Sequence, residues 1–248
     1  KQLDRYRSIH NHYVEQMQQH FDRSVTDLKA AHEAEIRTLK RANMLLAVAL
    51  AVGVLLLIAV WWWGIRLTGN WAYTFRNLNS EDWRYTKYRT EKSPFVFQII
   101  NFAGLNMVPT IVVFMAMIPG FKIIEYCLSA NVFTVLACLL CIGAATLQLV
   151  ADHQIHQFIR EKKGRVCNVG LWKHGRHPNY FGEITMWWGV YLMFLSVTPN
   201  IAHDWFWLIG AVMNTLLFCF ISIPLMEGRQ LKNKPEYAEY KKHTRRFV

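Results

Sequence analysis

The chain has 248 residues, of which 53% are hydrophobic, 14% aromatic and only 18% charged. A soluble protein carries a larger charged share. The formal charge of +11 admits a nucleic-acid binder or a membrane protein with basic loops, and the long apolar runs select the second, so no nucleic-acid partner is expected.

Residues 1–43 are polar, yet Ile9, Tyr13, Met17, Phe21, Val25 and Leu28 recur every three or four positions, with Ile36 and Leu39 further on. That spacing draws one apolar stripe on a helix, and no Pro or Gly interrupts it. The segment reads as an extramembrane amphipathic helix. It is compatible with a protein partner, the membrane surface, self-association or a solvated stalk. No cleavable signal peptide is expected, because the first forty residues hold no short apolar core.

Residues 44–63 carry no charge and end in Trp61, Trp62 and Trp63. At ~1.5 Å per residue they cross a ~30 Å hydrocarbon core, and the aromatics suit its interface. Further spans are expected at 95–118, 123–150, about 180–198 and about 205–226. The fold class is therefore all-α, a polytopic transmembrane bundle of about five spans, with residues 44–248 as one reductase-like membrane domain after the helix at 1–43. Four of the five cysteines (Cys127, Cys138, Cys141, Cys219) lie in apolar stretches. The C-x-x-C pair Cys138/Cys141 reads as small packing residues, not as a redox or metal site.

Lys and Arg number six in 64–94, six in 151–178 and seven in 227–248. With five spans these three segments share one face, and the positive-inside rule places that face and the C-terminus in the cytoplasm. The opposite connections hold only Lys122.

The densest polar cluster runs from Gly170 to Glu183, GLWKHGRHPNYFGE. Pro178 suits the first turn of a helix. Asn179 and Glu183 are four apart and share a face. Arg176 and His177 at a helix N-terminus can hold phosphate. Glu183 lies near or within the membrane, where a carboxylate needs a partner. Gln148, Asp152 and His156 form a stripe at the end of the third expected span, with His153 and Arg160 beside it. Glu227 and Arg229 close the fifth. Carboxylates and arginines from three helices point to one polar pocket with aromatic lower walls (Trp187, Trp188, Tyr191), a design for a charged cofactor above and a lipid-like substrate below. His153/His156 and His174/His177 are both H-x-x-H pairs, but no H-x-x-H-H box occurs, so no metal is expected.

The stretch 170–183 followed by Trp187-Trp188-Gly189 resembles the signature of the steroid 5-alpha-reductase-like membrane family, in its 3-oxo-5-alpha-steroid 4-dehydrogenase type. Residues 63–71 (WGIRLTGNW) with 81–85 (EDWRY) are similar to its first basic loop. Residues 223–227 (IPLME) with 235–240 (PEYAEY) and Thr244 are similar to its tail. The resemblance covers 44–248. It implies an oxidoreductase of lipid metabolism that binds NADPH from the cytoplasmic side and reduces a conjugated carbon–carbon double bond in a steroid or other lipid, by hydride delivery to the β carbon and protonation of the α carbon. By position it assigns Arg66, Gln148, Asp152, Arg160, Arg176, Asn179, Tyr180, Glu183, Glu227 and Tyr240 to the cofactor. The endoplasmic reticulum is the family's usual home, with a mitochondrial or bacterial inner membrane as other settings.

The chain departs from the family pattern in two places. Characterised reductases have two more membrane helices before the span that matches 44–63, one of which supplies a Gln-Glu pair. The tyrosine expected three residues before Arg66 is Trp63, so Tyr85 or Tyr88 becomes the expected proton donor. Two alternatives stand beside the reductase. One is a catalytically inactive relative serving as a subunit of a membrane complex. The other is an S-adenosylmethionine-dependent methyltransferase, because isoprenylcysteine carboxyl methyltransferases share an Arg-His-Pro-x-Tyr-x-Gly stretch.

Overall fold

A computed structural model describes residues 2–75, 81–126, 130–161 and 164–248. Most of these are helical, and the single extended pairing among them is a parallel bridge between Gly175 and Arg245. The fold is an all-α polytopic bundle, as the apolar runs predict. The chain divides into two compact units, Lys1–Ala47 and Val48–Val248.

Helix α1 spans Gln2–Thr74 and takes in both the polar N-terminal stretch and the first span. The Lys1–Ala47 unit is helical from Gln2 onward, and among the described residues its large apolar side chains are exposed apart from the half-buried Val25.

In the second unit, the short helix α2, Trp83–Glu91, starts on an Asp82 N-cap whose carboxylate accepts the Arg84 N–H at 2.9 Å. Then come α3, Pro94–Ile99, a π-helical stretch at Ile100–Met107, and α4, Val108–Tyr126. Helix α5 is Val132–Glu161. After the one-turn α6, Leu171–His174, come α7, Pro178–Leu195, and α8, Ile201–Asp204. A 3₁₀ turn at Trp205–Leu208 leads to α9, Ile209–Leu216. A π stretch, Leu217–Ser222, leads to α10, Ile223–Asn233, and α11 is Tyr237–His243.

Among the described residues, four helical stretches are long and apolar enough to cross a membrane: Arg5–Thr74, Pro94–Glu125, Val132–Glu161 and Ile201–Asn233. The remaining expected span is α7, which is 18 residues long. Its sequence is less apolar because protein surrounds it: Met186, Trp187, Met193 and Phe194 are fully buried. A helix enclosed by other helices does not need the apolar coat of one that faces lipid. Asn179 and Glu183 can therefore sit on it.

The second and third spans differ from expectation at their junction. The predicted break at 119–122 is absent, and α4 runs through Pro119 to Tyr126. Proline is tolerated in a membrane helix where neighbours satisfy the freed backbone groups. At the next residue, a Cβ on Gly120 would stand 3.2 Å from Leu56 Cδ2 of α1, so the two helices are in close contact there. Lys122 is consequently within α4 and pairs with Glu125 at 2.6 Å, instead of lying in a connection.

The core gathers Val52, Leu56 and Ala59 of α1 with Ala116 of α4, the small face of α5 and the large side chains of α7. Small residues let α5 and α7 approach closely. A Cβ on Gly189 would lie 2.5 Å from Cys141 Sγ. One on Gly182 would lie 2.5 Å from Gln148 Cγ and 2.7 Å from the Ala144 carbonyl. Cys138 and Cys141 are buried free thiols that reach the Leu55 and Met186 carbonyls, the packing role their setting predicts. Cys127 lies outside the described residues.

Candidate functional site

The three basic segments meet at one end of the second unit. Arg229 of α10 stacks over the Trp83 ring of α2 (4.7 Å to the centroid), and Lys234 donates to the Arg165 carbonyl at 2.7 Å. Arg76, Lys162 and Lys163 lie outside the described residues. Two buried ionic networks occupy this end.

The first network joins α1, α5 and α7. Trp63, Arg66 and Asn70 of α1 are spaced i, i+3, i+7 and share a face. Arg66 forms a buried ion pair with Asp152 of α5 and places Nη1 3.7 Å from Glu183 Oε2. Glu183 also accepts two indole N–H bonds, from Trp63 at 2.9 Å and Trp187 at 2.9 Å. Asn179 Nδ2 lies 3.3 Å from the other Asp152 oxygen. One turn below, His156 bonds Asn70 at 2.8 Å. Of the same-face residues read from the sequence, Asn179, Glu183 and Asp152 meet in this network, His156 bonds Asn70 beside it, and Gln148 makes no hydrogen bond to it.

Two polar groups in or beside this network have no hydrogen-bond partner among the described residues. Gln148 is fully buried, and neither its amide oxygen nor its amide nitrogen is hydrogen-bonded. The Arg66 Nε–H is likewise buried and free. Leaving such a group unsatisfied costs about 1–3 kcal/mol. Bound water or a ligand relieves that penalty.

The second network joins α7's N-terminus to the tail. Glu227 of α10 accepts from Arg176 Nε at 2.8 Å and Lys241 Nζ at 2.7 Å, and His177 Nε2 lies 3.1 Å away. The Arg176 guanidinium also donates to the carbonyls of Lys241 and Thr244. The backbone N–H groups of Arg176 and His177 donate to the Arg245 and Arg246 carbonyls at 2.9 and 3.2 Å. Gly175 permits this crossing, since a Cβ there would stand 2.8 Å from the Phe247 backbone. Burial holds the His177 imidazole below its ordinary value, against the pull of Glu227.

The five residues expected around one pocket thus fall into two hydrogen-bonded sets, Asp152, Asn179 and Glu183 in one and Arg176 and Glu227 in the other. Tyr180 follows Asn179 directly, its ring stacked on His177 at 5.3 Å and packed on Phe218 at 4.9 Å. The separation arises because the tail's carbonyls and Lys241 occupy the donors and acceptors of the second set, a pairing over some seventy residues that no local pattern announces.

Four other expected residues lie around these networks. Arg160 is exposed in the last turn of α5. Tyr240 of α11 donates its hydroxyl to the Trp172 carbonyl, and Trp172 in turn donates to the Ala151 carbonyl at 2.9 Å. Burial raises the Tyr240 phenol above its ordinary value. On α2, Tyr85 is 3.4 Å from Asn106 Oδ1, and the Tyr88 ring lies 5.4 Å from Lys87 Nζ. Neither hydroxyl bonds the Asp152–Glu183 network. An open cleft of about 560 Å³ lies beside Tyr240, walled by Phe158, Lys173, Arg165 and His243 among others.

Sequence reasoning gave Trp63 and Trp187 no polar role. The i, i+3 spacing of Trp63 and Arg66 was the available signal for the first, and the i, i+4 spacing of Glu183 and Trp187 for the second.

Fold and site together define a helical membrane protein with two ion networks sealed at its basic end. A family model described as "Protein of unknown function (DUF1295)" matches residues 14–244, and the chain belongs to that family. The family lies within the steroid 5-alpha-reductase-like superfamily. Its match begins inside the N-terminal helical stretch, thirty residues before the resemblance found at 44–248. No curated protein and no solved structure matches the chain.

Proposed function

We propose that the chain is a membrane oxidoreductase that uses NADPH to reduce a conjugated carbon–carbon double bond in a steroid or other lipid. The observation that carries this reading is Gln148: a fully buried amide with a free donor and a free acceptor, against Gly182 and within the Arg66–Asp152–Asn179–Glu183 setting. A carboxamide, such as that of nicotinamide, complements both atoms at once. The residues fit the group in a second respect. Arg160 and Lys173 are exposed cations at the same end and suit a pyrophosphate, whereas Arg176 and His177 are committed to Glu227 and the tail.

When bound, the cofactor supplies a hydride to the β carbon of the enone. The chain's residues orient and exclude water. Glu183, fixed by two indoles and Arg66, holds the wall of the site. Asp152 keeps Arg66 in place, leaving the Arg66 Nε–H to bind the substrate carbonyl or a water. Tyr85, with Tyr88 as second donor, is the proposed source of the proton for the α carbon, from α2 and outside the Asp152–Glu183 network. An apolar crevice of about 80 Å³ lined by Leu56, Val60 and Trp187 has room for the end of a hydrocarbon chain, not for a whole steroid. The basic end faces the cytoplasm and the endoplasmic reticulum is the expected membrane.

The test is saturable NADPH binding to the purified full chain in detergent, followed by enone-dependent oxidation. Gln148→Ala is expected to weaken binding about tenfold, the loss of one or two hydrogen bonds. Absence of saturable binding by the unmutated protein overturns the reading. The mutual pairing of Arg66 with Asp152 and of Arg176 with Glu227 favours a second reading, a non-catalytic subunit whose networks are structural, and that reading predicts stable co-purifying partners instead. Binding of S-adenosylmethionine would place the chain with the methyltransferases.

A further inference from the structure

Taken with a fixed period, the stripe of the Lys1–Ala47 unit leaves out Ile9 and Tyr13, takes in Leu3, Tyr6 and Val14, and obeys a stricter rule than helical amphipathicity. From Leu3 the positions 3, 6, 10, 14, 17, 21, 25, 28, 32, 36 and 39 advance in steps of three, four and four that repeat every eleven residues. Nine of these eleven are apolar or aromatic, and the two exceptions, His10 and His32, occupy the same place in the repeat, twenty-two residues apart. An amphipathic helix on a membrane or on a globular partner needs an apolar face, but not a fixed period. An eleven-residue period is the signature of helices that wrap around one another nearly straight or with a right-handed supercoil. Within this unit the stripe has no partner among the described residues: Leu3, Met17, Phe21 and Leu28 are each more than 60% exposed.

Charge selects the occupant and its direction. On one flank of the stripe the repeat places Arg7, Gln18, Lys29 and Lys40, and on the other Gln2, Tyr13, Ser24 and Glu35. In an antiparallel pair of copies each flank meets its own kind, so the basic row faces the basic row. In a parallel pair opposite flanks meet, and Glu35 of one copy faces Lys29 and Lys40 of the other. Copies inserted in one membrane by the same following span run in the same direction, which is the parallel case. His10 and His32, at the centre of the stripe, act as the polar positions that fix register in such assemblies.

We infer that residues 3–39 pair with the same segment of a second copy as a parallel, in-register eleven-residue-repeat coiled coil, so that the protein is a dimer in the membrane. The inference is independent of the catalytic reading.

Single cysteines placed in the full chain in native-like membranes test it. Val14→Cys, Phe21→Cys and Ile36→Cys are expected to crosslink to their own counterparts on mild oxidation, while the outward positions Ser8→Cys and Ala34→Cys do not. Crosslinking at both 14 and 36 requires the parallel register, since an antiparallel pair brings like residues together only near the middle. Leu28→Glu is expected to weaken association on the order of a hundredfold, because two leucines leave a buried seam, and Ala34→Glu is expected to leave it unchanged. Equal crosslinking at inward and outward positions overturns the inference. So does lipid protection of the stripe, or a different bound protein, with no self-crosslink at 14 and 36.

Discussion

Trp63 donates its indole N–H to Glu183 across 120 residues of sequence, 2.9 Å from Oε2 and 3.0 Å from Oε1. Its ring meets that of Trp187 edge-on at 4.9 Å, and Trp187 donates to the same carboxylate. Two indoles and a guanidinium thus converge on one acidic group in the fourth-span helix α7. The carboxylate that looks most exposed to lipid in the sequence is among the most fully accommodated in the fold.

Replacing Trp63 by Phe keeps most of the packing and removes one of these donors. A hydrogen bond to a charged group contributes about 1.5–3 kcal/mol, so Trp63→Phe is expected to lower the thermal unfolding midpoint in detergent by several degrees. An unchanged midpoint would mean that Trp187 and Arg66 satisfy Glu183 without it.

Arg66 and Asp152 form the other half of this network, and both side chains are less than 10% exposed. Breaking a buried pair from one side strands the partner and costs about 3–5 kcal/mol, whereas removing both is milder. Arg66→Met and Asp152→Asn are each expected to destabilise strongly, and the double variant by clearly less than their sum. Additive losses in a double-mutant cycle by thermal unfolding would show that the two residues act independently.

Much of this was legible from local pattern, and the reason is geometric. Residues four apart share a helix face, so Asn179 with Glu183 and Gln148 with Asp152 could be read as pairs before any fold was known. The Arg66–Asp152 and Arg176–Glu227 contacts were not readable from spacing, because they join helices 86 and 51 residues apart. The tail's closure over α7 was hidden for a different reason. It is made by backbone carbonyls, which carry no residue signature. The break expected between 118 and 123 is absent because α4 continues through Pro119 to Tyr126, as a packed membrane bundle tolerates.

The glycines of the α5–α7 contact give a test with an internal control. Gly182→Ala would press a methyl against the Ala144 carbonyl and Gln148, and Gly189→Ala against Cys141. Overpacking of this kind costs about 1–3 kcal/mol. Gly143, on the partner helix α5, has nothing within 4 Å of a built Cβ, so Gly143→Ala is expected to stabilise by up to about 1 kcal/mol through helix propensity. The three unfolding midpoints should rank Gly143→Ala above the parent and the other two below it.

Alkaline pH probes the tail helix α11. Burial, reinforced by the charge of Glu227, pushes the Tyr237 phenol up to about 12 from its ordinary 10. The folded state therefore keeps this proton after the unfolded chain has lost it. The stabilisation is complete below pH of about 10 and disappears as pH rises through about 12. Tyr237→Phe cannot ionise, so its unfolding midpoint is expected to fall less steeply across that window than the parent's. Its tyrosinate absorbance titration should lack one late step. Parallel midpoint curves for parent and variant would show that Tyr237 ionises equally in both states and that the alkaline loss arises elsewhere.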